Sequence, residues 1–158
     1  MIVTRSCNRL LLLTILPLYL VGAHADVSRR PVKLADLPAA VRKIVLQQRQ
    51  DATIVRLEKT QQEGKEIYEV ALRSGAITRT VSIDEAGKVR EVKQPTTLSQ
   101  VSRAAKSVID SSVGNGTIRT LESVKTATGV IAAYEIKFTR DSREFRLRIG
   151  ADGRLVQE

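Results

Sequence analysis

Four glutamates and three cations are the residues of this chain whose types and spacing invite chemistry. Glu69 and Glu135 hold equivalent positions in two similar stretches of sequence, and so do Glu58 and Glu122. Paired carboxylates hydrolyse glycosides when a cleft holds them at the right separation. The plainer reading is an exposed strand glutamate copied by duplication, and it is the stronger one, because a repeated position does not imply a reaction. The cations are Lys137, Arg146 and Arg148. In two strands that read Tyr134, Ile136, Phe138 inward and Phe145, Leu147, Ile149 inward, Lys137, Arg146 and Arg148 point outward together with Glu135. If those strands pair, the three cations share one face, where guanidinium groups could grip carboxylate or phosphate in bidentate fashion. The competing reading is a solvated face balanced by Glu135 and Glu144, since exposed ion pairs are common and weak.

Most other chemistry leaves with the N-terminus. Arg5 and Arg9 precede an apolar run from Leu10 to Val21, and Ala23-His24-Ala25 is a small-x-small cleavage site. This order predicts a secretory signal peptide over 1–25. The run is also short for a membrane span, which needs about 20 apolar residues, so no transmembrane span is expected after cleavage. The only Cys (Cys7), the only His (His24) and the only Met (Met1) all lie in this segment. The remaining 133 of 158 residues therefore offer no thiol nucleophile, no Ser–His triad, no His- or Cys-based metal site and no disulfide. No catalytic, cofactor-binding or metal-binding residues are assigned, and no cofactor is expected.

The charge survives cleavage. Of 26 basic residues two Arg are lost, leaving 24 against 17 acidic ones. The excess is spread over both halves, with 14 basic and 10 acidic residues in Asp26–Lys93 and 10 and 7 in Gln94–Glu158. A broad basic bias favours anionic partners, such as envelope polymers, lipid surfaces or acidic protein faces, although high pI alone does not make a site. Nucleic acid is disfavoured: the aromatic residues after the signal fall in phase with the core, so no stacking platform remains. Asn115-Gly116-Thr117 matches a glycosylation acceptor but also reads as a plain turn.

These residues must be positioned by two copies of one plan. Tyr68-Glu69-Val70 recurs as Tyr134-Glu135-Ile136, and Val81-Ser82-Ile83 with Gly87-Lys88-Val89 recurs as Leu147-Arg148-Ile149 with Gly153-Arg154-Leu155, all at an offset of 66. Leu37, Val41, Ile44 and Val45 form one helical face, and Leu98, Val101, Ala105, Val108 and Ile109 another. Asp36 and Thr97 are candidate caps. Each helix is followed by four strand-like runs. In the first run of each half, Ile54 and Leu57, like Ile118 and Leu121, stand three apart, which suggests a bulge or register change. The expected fold class is α+β: two tandem repeats, each one helix packed on a four-stranded antiparallel sheet. The expected organisation is a signal peptide at 1–25, a flexible lead-in at 26–36, repeat one at 37–93, a linker at 94–97 and repeat two at 98–158. Glu63-Gly64, Asp84–Gly87 and Thr128-Gly129 are the expected hairpin tips.

The strand Tyr68-Glu69-Val70, the strand Val81-Ser82-Ile83-Asp84, the hairpin Gly87-Lys88-Val89 and the helix opening Leu37-Pro38 with Val41 resemble the PepSY domain. In the second half Asp84 becomes Gly150, and Lys88-Val89 becomes Arg154-Leu155. Two such units in one exported chain resemble PepSY-like proteins related to the β-lactamase-inhibitor-protein architecture. The resemblance implies a non-catalytic bacterial protein, periplasmic or secreted. Its partner would be an envelope or secreted protein, and it would inhibit or regulate a peptidase or other hydrolase. The alternative is a basic module for anionic envelope polymers or lipid surfaces.

Overall fold

Apolar residues at every second position, broken by glycine turns, give one meander of eight antiparallel strands. The computed structural model describes residues 29–62 and 64–156. The predicted signal peptide and Glu63 lie outside the described residues. The strands are β1 (Arg30–Pro31), β2 (Thr53–Gln62), β3 (Lys65–Ser74), β4 (Ile77–Asp84), β5 (Val89–Pro95), β6 (Thr117–Lys125), β7 (Ile131–Arg140) and β8 (Arg143–Gly150), and each pairs with the next in chain order. Among the described residues two α-helices join the sheet, α1 (Ala39–Arg49) and α2 (Arg103–Val113).

This corrects the expected fold class. There are not two four-stranded sheets but a single eight-stranded one, because β5 belongs to both halves. Its first part pairs with β4 (Val81↔Val92, Thr80↔Lys93), and its last part pairs with β6 (Gln94↔Ser123, Pro95↔Glu122). Gln94 and Pro95, read above as the start of a linker, are thus strand. Proline is tolerated at Pro95 because it ends the strand, where no further ladder donor is needed. The lead-in is also partly ordered. Pro31 pairs with Glu58, and a single 3-10 turn spans Leu34–Asp36. The fourth strand of the second half shrinks to one bridge, Ile149↔Leu155.

The repeat is nevertheless physical. Pro31 opposite Glu58 is copied by Pro95 opposite Glu122, and the Val32 N–H bond to the Leu57 carbonyl (3.1 Å) by Thr96 to Leu121 (3.0 Å). The register shifts at Ile54/Arg56 and Ile118/Thr120 are the bulges that the three-residue apolar spacing suggested. Up to these strands the offset is 64; after the β6–β7 hairpin it is 66. That hairpin therefore carries two extra residues.

The helix starts differ for a chemical reason. Ser102 caps α2: its hydroxyl accepts from the Ala105 N–H at 3.2 Å, and its own N–H donates to the Tyr134 hydroxyl at 3.1 Å. The position equivalent to Ser102 is Pro38, which has neither a capping hydroxyl nor an N–H. Tyr68 accordingly donates to Glu66 Oε2 at 3.1 Å instead. Asp36 does not cap α1, because it lies in the preceding 3-10 turn; Thr97 caps the short turn Leu98–Gln100 rather than α2.

The core is two apolar clusters on one side of the sheet. Val41 and Val45 of α1 pack on Leu57, Tyr68, Val70, Leu72, Val81 and Ile83; Ala105 and Ile109 of α2 pack on Leu121, Tyr134, Ile136, Phe138 and Ile149. Each fully buried Val, Leu or Ile contributes roughly 1.5–3 kcal/mol. The pairings Val81↔Val92 and Gln94↔Ser123↔Tyr134 carry one face across β4–β7, so both helices lie on the same side.

Candidate binding face

Among the described residues, the other side of the sheet carries no helix. Strand alternation places Glu58, Glu69, Ser82 and Glu91 there in one row, Ala71, Thr80, Lys93, Val124 and Ala133 in a second, and Pro95, Glu122, Glu135 and Arg148 in a third. Alternation along β3 and β4 also sets Thr78, Thr80, Ser82, Glu69 and Ala71 on this side. They do point away from the helices, yet Ser82 and Ala71 are buried and Glu69 is only 6% exposed. With no second layer over them among the described residues, these side chains are covered by their neighbours on the same face.

The cover is clearest over β6. Val124 faces this side and is 1% exposed. Across it runs a chain of ion pairs joining β5 to β7 and β8. Lys93 Nζ lies 2.8 Å from Glu135 Oε1 and 3.2 Å from Glu91 Oε1; Arg148 donates to Glu135 Oε1 at 2.8 Å and to Glu91 Oε2 at 2.7 Å. Strands about 4.8 Å apart would leave β5 and β8 about 14 Å apart along a flat ladder, so Arg148 and Glu91 reach towards each other across two strands. Burial alone would raise the Glu91 carboxyl, but the Arg148 hydrogen bond and the charge of Lys93 outweigh it and hold Glu91 below its ordinary range. Burial would likewise lower Lys93, and the hydrogen bond and charge of Glu135, helped by Glu91, raise it above its ordinary value.

The glutamates singled out for catalysis are brought together, but as cross-strand neighbours: Glu58 stands opposite Glu69 and Glu122 opposite Glu135. Like charges directly opposite repel, and cations answer three of them. Arg29 lies 3.5 Å from Glu69, Arg56 3.3 Å from Glu58, and Lys93 and Arg148 hold Glu135. Carboxylates pinned as acceptors to cations are poorly placed to donate a proton to a leaving group. Among the described residues no group of three His, Cys, Asp or Glu is placed to hold a metal ion.

The three predicted cations do share the face. Lys137 stands opposite Arg146, and Arg148 opposite Glu135. Arg148 is committed to the ion-pair chain, whereas Lys137, half-buried, and Arg146, exposed, form no ion pair among the described residues. Sequence reasoning missed Glu91 and Lys93, because their role depends on β5 pairing across the boundary between the halves. It also missed Val130, 63% exposed on the β6–β7 hairpin. That hairpin is ordered by the Thr126 N–H to Val130 and Gly129 N–H to Thr126 bonds, both 2.9 Å. The meander puts this tip at the same end of the sheet as Gly64, Asp84–Gly87 and Asp152-Gly153. Asn115 follows α2 in a turn at the opposite end.

Compared with known protein families and with curated proteins, the sequence matches none. Solved structures do share the fold. A protein of Bacteroides eggerthii whose name places it in the periplasm superposes with a TM-score of 0.59 at 11% identity, over 77% of this chain and 86% of the other. A DUF2874 family protein of Bacteroides ovatus gives 0.58 at 16% identity, over 77% and 85%. A BLIP-like protein of Bacteroides fragilis gives 0.52 at 12% identity, over 75% and 82%. The chain thus has a fold seen in BLIP-like and DUF2874 proteins. No helix among the described residues is long and apolar enough to cross a membrane.

Proposed function

We propose that this chain is an exported, non-catalytic, PepSY-like binding protein of the bacterial periplasm that engages another envelope or secreted protein, a peptidase or other hydrolase, and restrains it. The observation that carries this reading is the helix-free face of a continuous sheet, held in one arrangement by the Glu91–Lys93–Glu135–Arg148 chain. A surface already ordered loses little side-chain freedom on binding. Lys137 and Arg146 supply cations at its edge, with Arg148 fixing the strand that bears Arg146. Val130 supplies an exposed apolar contact at the hairpin end. The likeness to a BLIP-like protein and to a periplasmic protein supports the class of role and the compartment.

The test is affinity capture from envelope extract on the purified protein, eluted by a salt gradient, with mass spectrometry of each fraction. A single protein retained beyond the salt that releases anionic polymer or lipid is expected, because an interface that adds the apolar contact of Val130 to its charges resists screening better than charges alone. Anionic polymer or lipid released at modest salt would favour the electrostatic module instead.

A further inference from the structure

The two halves answer the same carboxylate differently. At the offsets of 64 and 66, Lys93 corresponds to Arg29, Val124 to Thr60, Glu135 to Glu69 and Arg148 to Ser82. In the second half Lys93 and Arg148 both hold Glu135, and Arg148 reaches on across β6 to Glu91. In the first half Ser82 has no charge to give. Among the described residues the one cation on Glu69 is Arg29, at 3.5 Å and 52% exposed. Such a contact is weak, yet Glu69 itself is only 6% exposed. Its cross-strand neighbour Glu58 has Arg56 Nε 3.3 Å from Oε2, but that oxygen accepts no hydrogen bond. Buried carboxylates without good partners are costly. The floor differs in the same sense. Val124, over which the ion-pair chain passes, is apolar and needs no partner. Its counterpart Thr60 lies two residues from Glu58 on the same face, 3% exposed, and its hydroxyl has no hydrogen-bond partner. Buried hydroxyls are nearly always paired. Two glutamates and an unpaired hydroxyl thus stand where the second half lays a guanidinium.

We propose that this place receives an arginine side chain of the protein partner, in the position that Arg148 fills in the second half. The inference rests on the partner reading above and adds the partner's chemistry. A guanidinium is planar, always charged and carries five N–H donors. It bonds Glu69 and Glu58 together and still has a donor for Thr60 Oγ1. Ser82, opposite Glu69 on β4, leaves the room that the Arg148 side chain takes on β8. Arg29 gives way because its contact is long and exposed. An acidic cradle in the first half, with Lys137 and Arg146 in the second, gives the face both signs of charge. A partner must then match both in one register, which favours specificity.

Arginine amide is the probe. In backbone NMR of the purified protein it should give saturable shifts at Glu69 and Ser82 with a Kd of about 1–10 mM. The counterparts Glu135 and Arg148, whose site is filled, should not move. Glycinamide at equal ionic strength should shift none of the four. Ser82→Arg, which copies the second half, and Glu69→Gln should each weaken binding at least about tenfold. Arg29→Ala should tighten it about threefold. The same spectra confirm that each variant folds. No saturable shift, an equal shift at Glu135, or binding unchanged by both Ser82→Arg and Glu69→Gln would overturn the proposal. Partner capture that weakens with Lys137→Glu reports the partner reading separately. If that persists while arginine amide fails to bind, this inference falls and the partner reading stands.

Discussion

Lys93 Nζ sits 2.8 Å from Glu135 Oε1, across the whole width of β6. The two residues belong to different halves of the repeat, and their contact exists because one sheet runs through both. Together with Glu91 and Arg148 they tie the last strand of the first half to the last two strands of the second. Removing Lys93 by Lys93→Met leaves Glu91 and Glu135 sharing only Arg148. The side chains are about one-fifth exposed, so the cost is less than for a fully buried pair. Destabilisation of about 1–3 kcal/mol is expected in urea unfolding.

The same network sets a pH window. Glu91 titrates lower in the folded chain than its ordinary 4.5. Its stabilisation is therefore present above that value and lost as pH falls through the depressed folded pKa. Lys93 titrates higher than its ordinary 10.5, so its contribution is present below that value and lost as pH rises through the raised folded pKa. Thermal melts of wild type and Glu91→Gln should differ by a constant amount across neutral pH. The difference should shrink below about pH 4.5. A difference that stays constant into strong acid would contradict the assignment.

The helix C-termini supply a stability test read from the repeat. Gln50 ends α1 with φ 46° and ψ −121°, and Gly114 ends α2 with φ 55° and ψ −121°. A side chain is strained in that conformation, whereas glycine is not. Gln50→Gly should raise stability by about 1 kcal/mol, and Gly114→Ala should lower it by a similar amount, both by chemical denaturation.

Gly87 is constrained twice over. Its φ is 80°, and a Cβ there would lie 2.9 Å from the Ala40 carbonyl oxygen in the first turn of α1. Gly153 repeats the arrangement against Ala104. Gly87→Ala should cost about 2 kcal/mol or more, through the conformation and the clash together. The melting temperature is the measurement.

The helices, the bulges and the alternating strands were legible because each is written in local periodicity. The glycine hairpins were legible too, and so was the sharing of one face by Lys137, Arg146 and Arg148. What was not legible depends on contacts between distant segments. Pro95 read as a break, yet it is the last residue of a strand that joins the halves. Ser82 and Ala71 lie buried on the helix-free side, and strand period cannot report that such a face covers itself. Gly150 shows a subtler exchange. Asp84 accepts the Lys88 N–H at 2.8 Å in the first half; in the second, Asp152 Oδ1 enters the space beside Gly150 and accepts the Arg154 N–H at 3.0 Å. Aligned positions differ there while the hydrogen bond persists.

The most direct test of the helix-free face as the binding surface is partner capture by three forms of the protein: wild type, Lys137→Glu on that face, and Lys43→Glu on the exposed side of α1. The account predicts that wild type and Lys43→Glu retain the same single protein to the same salt, and that Lys137→Glu releases it earlier. Equal retention by all three, or loss with Lys43→Glu alone, would contradict it.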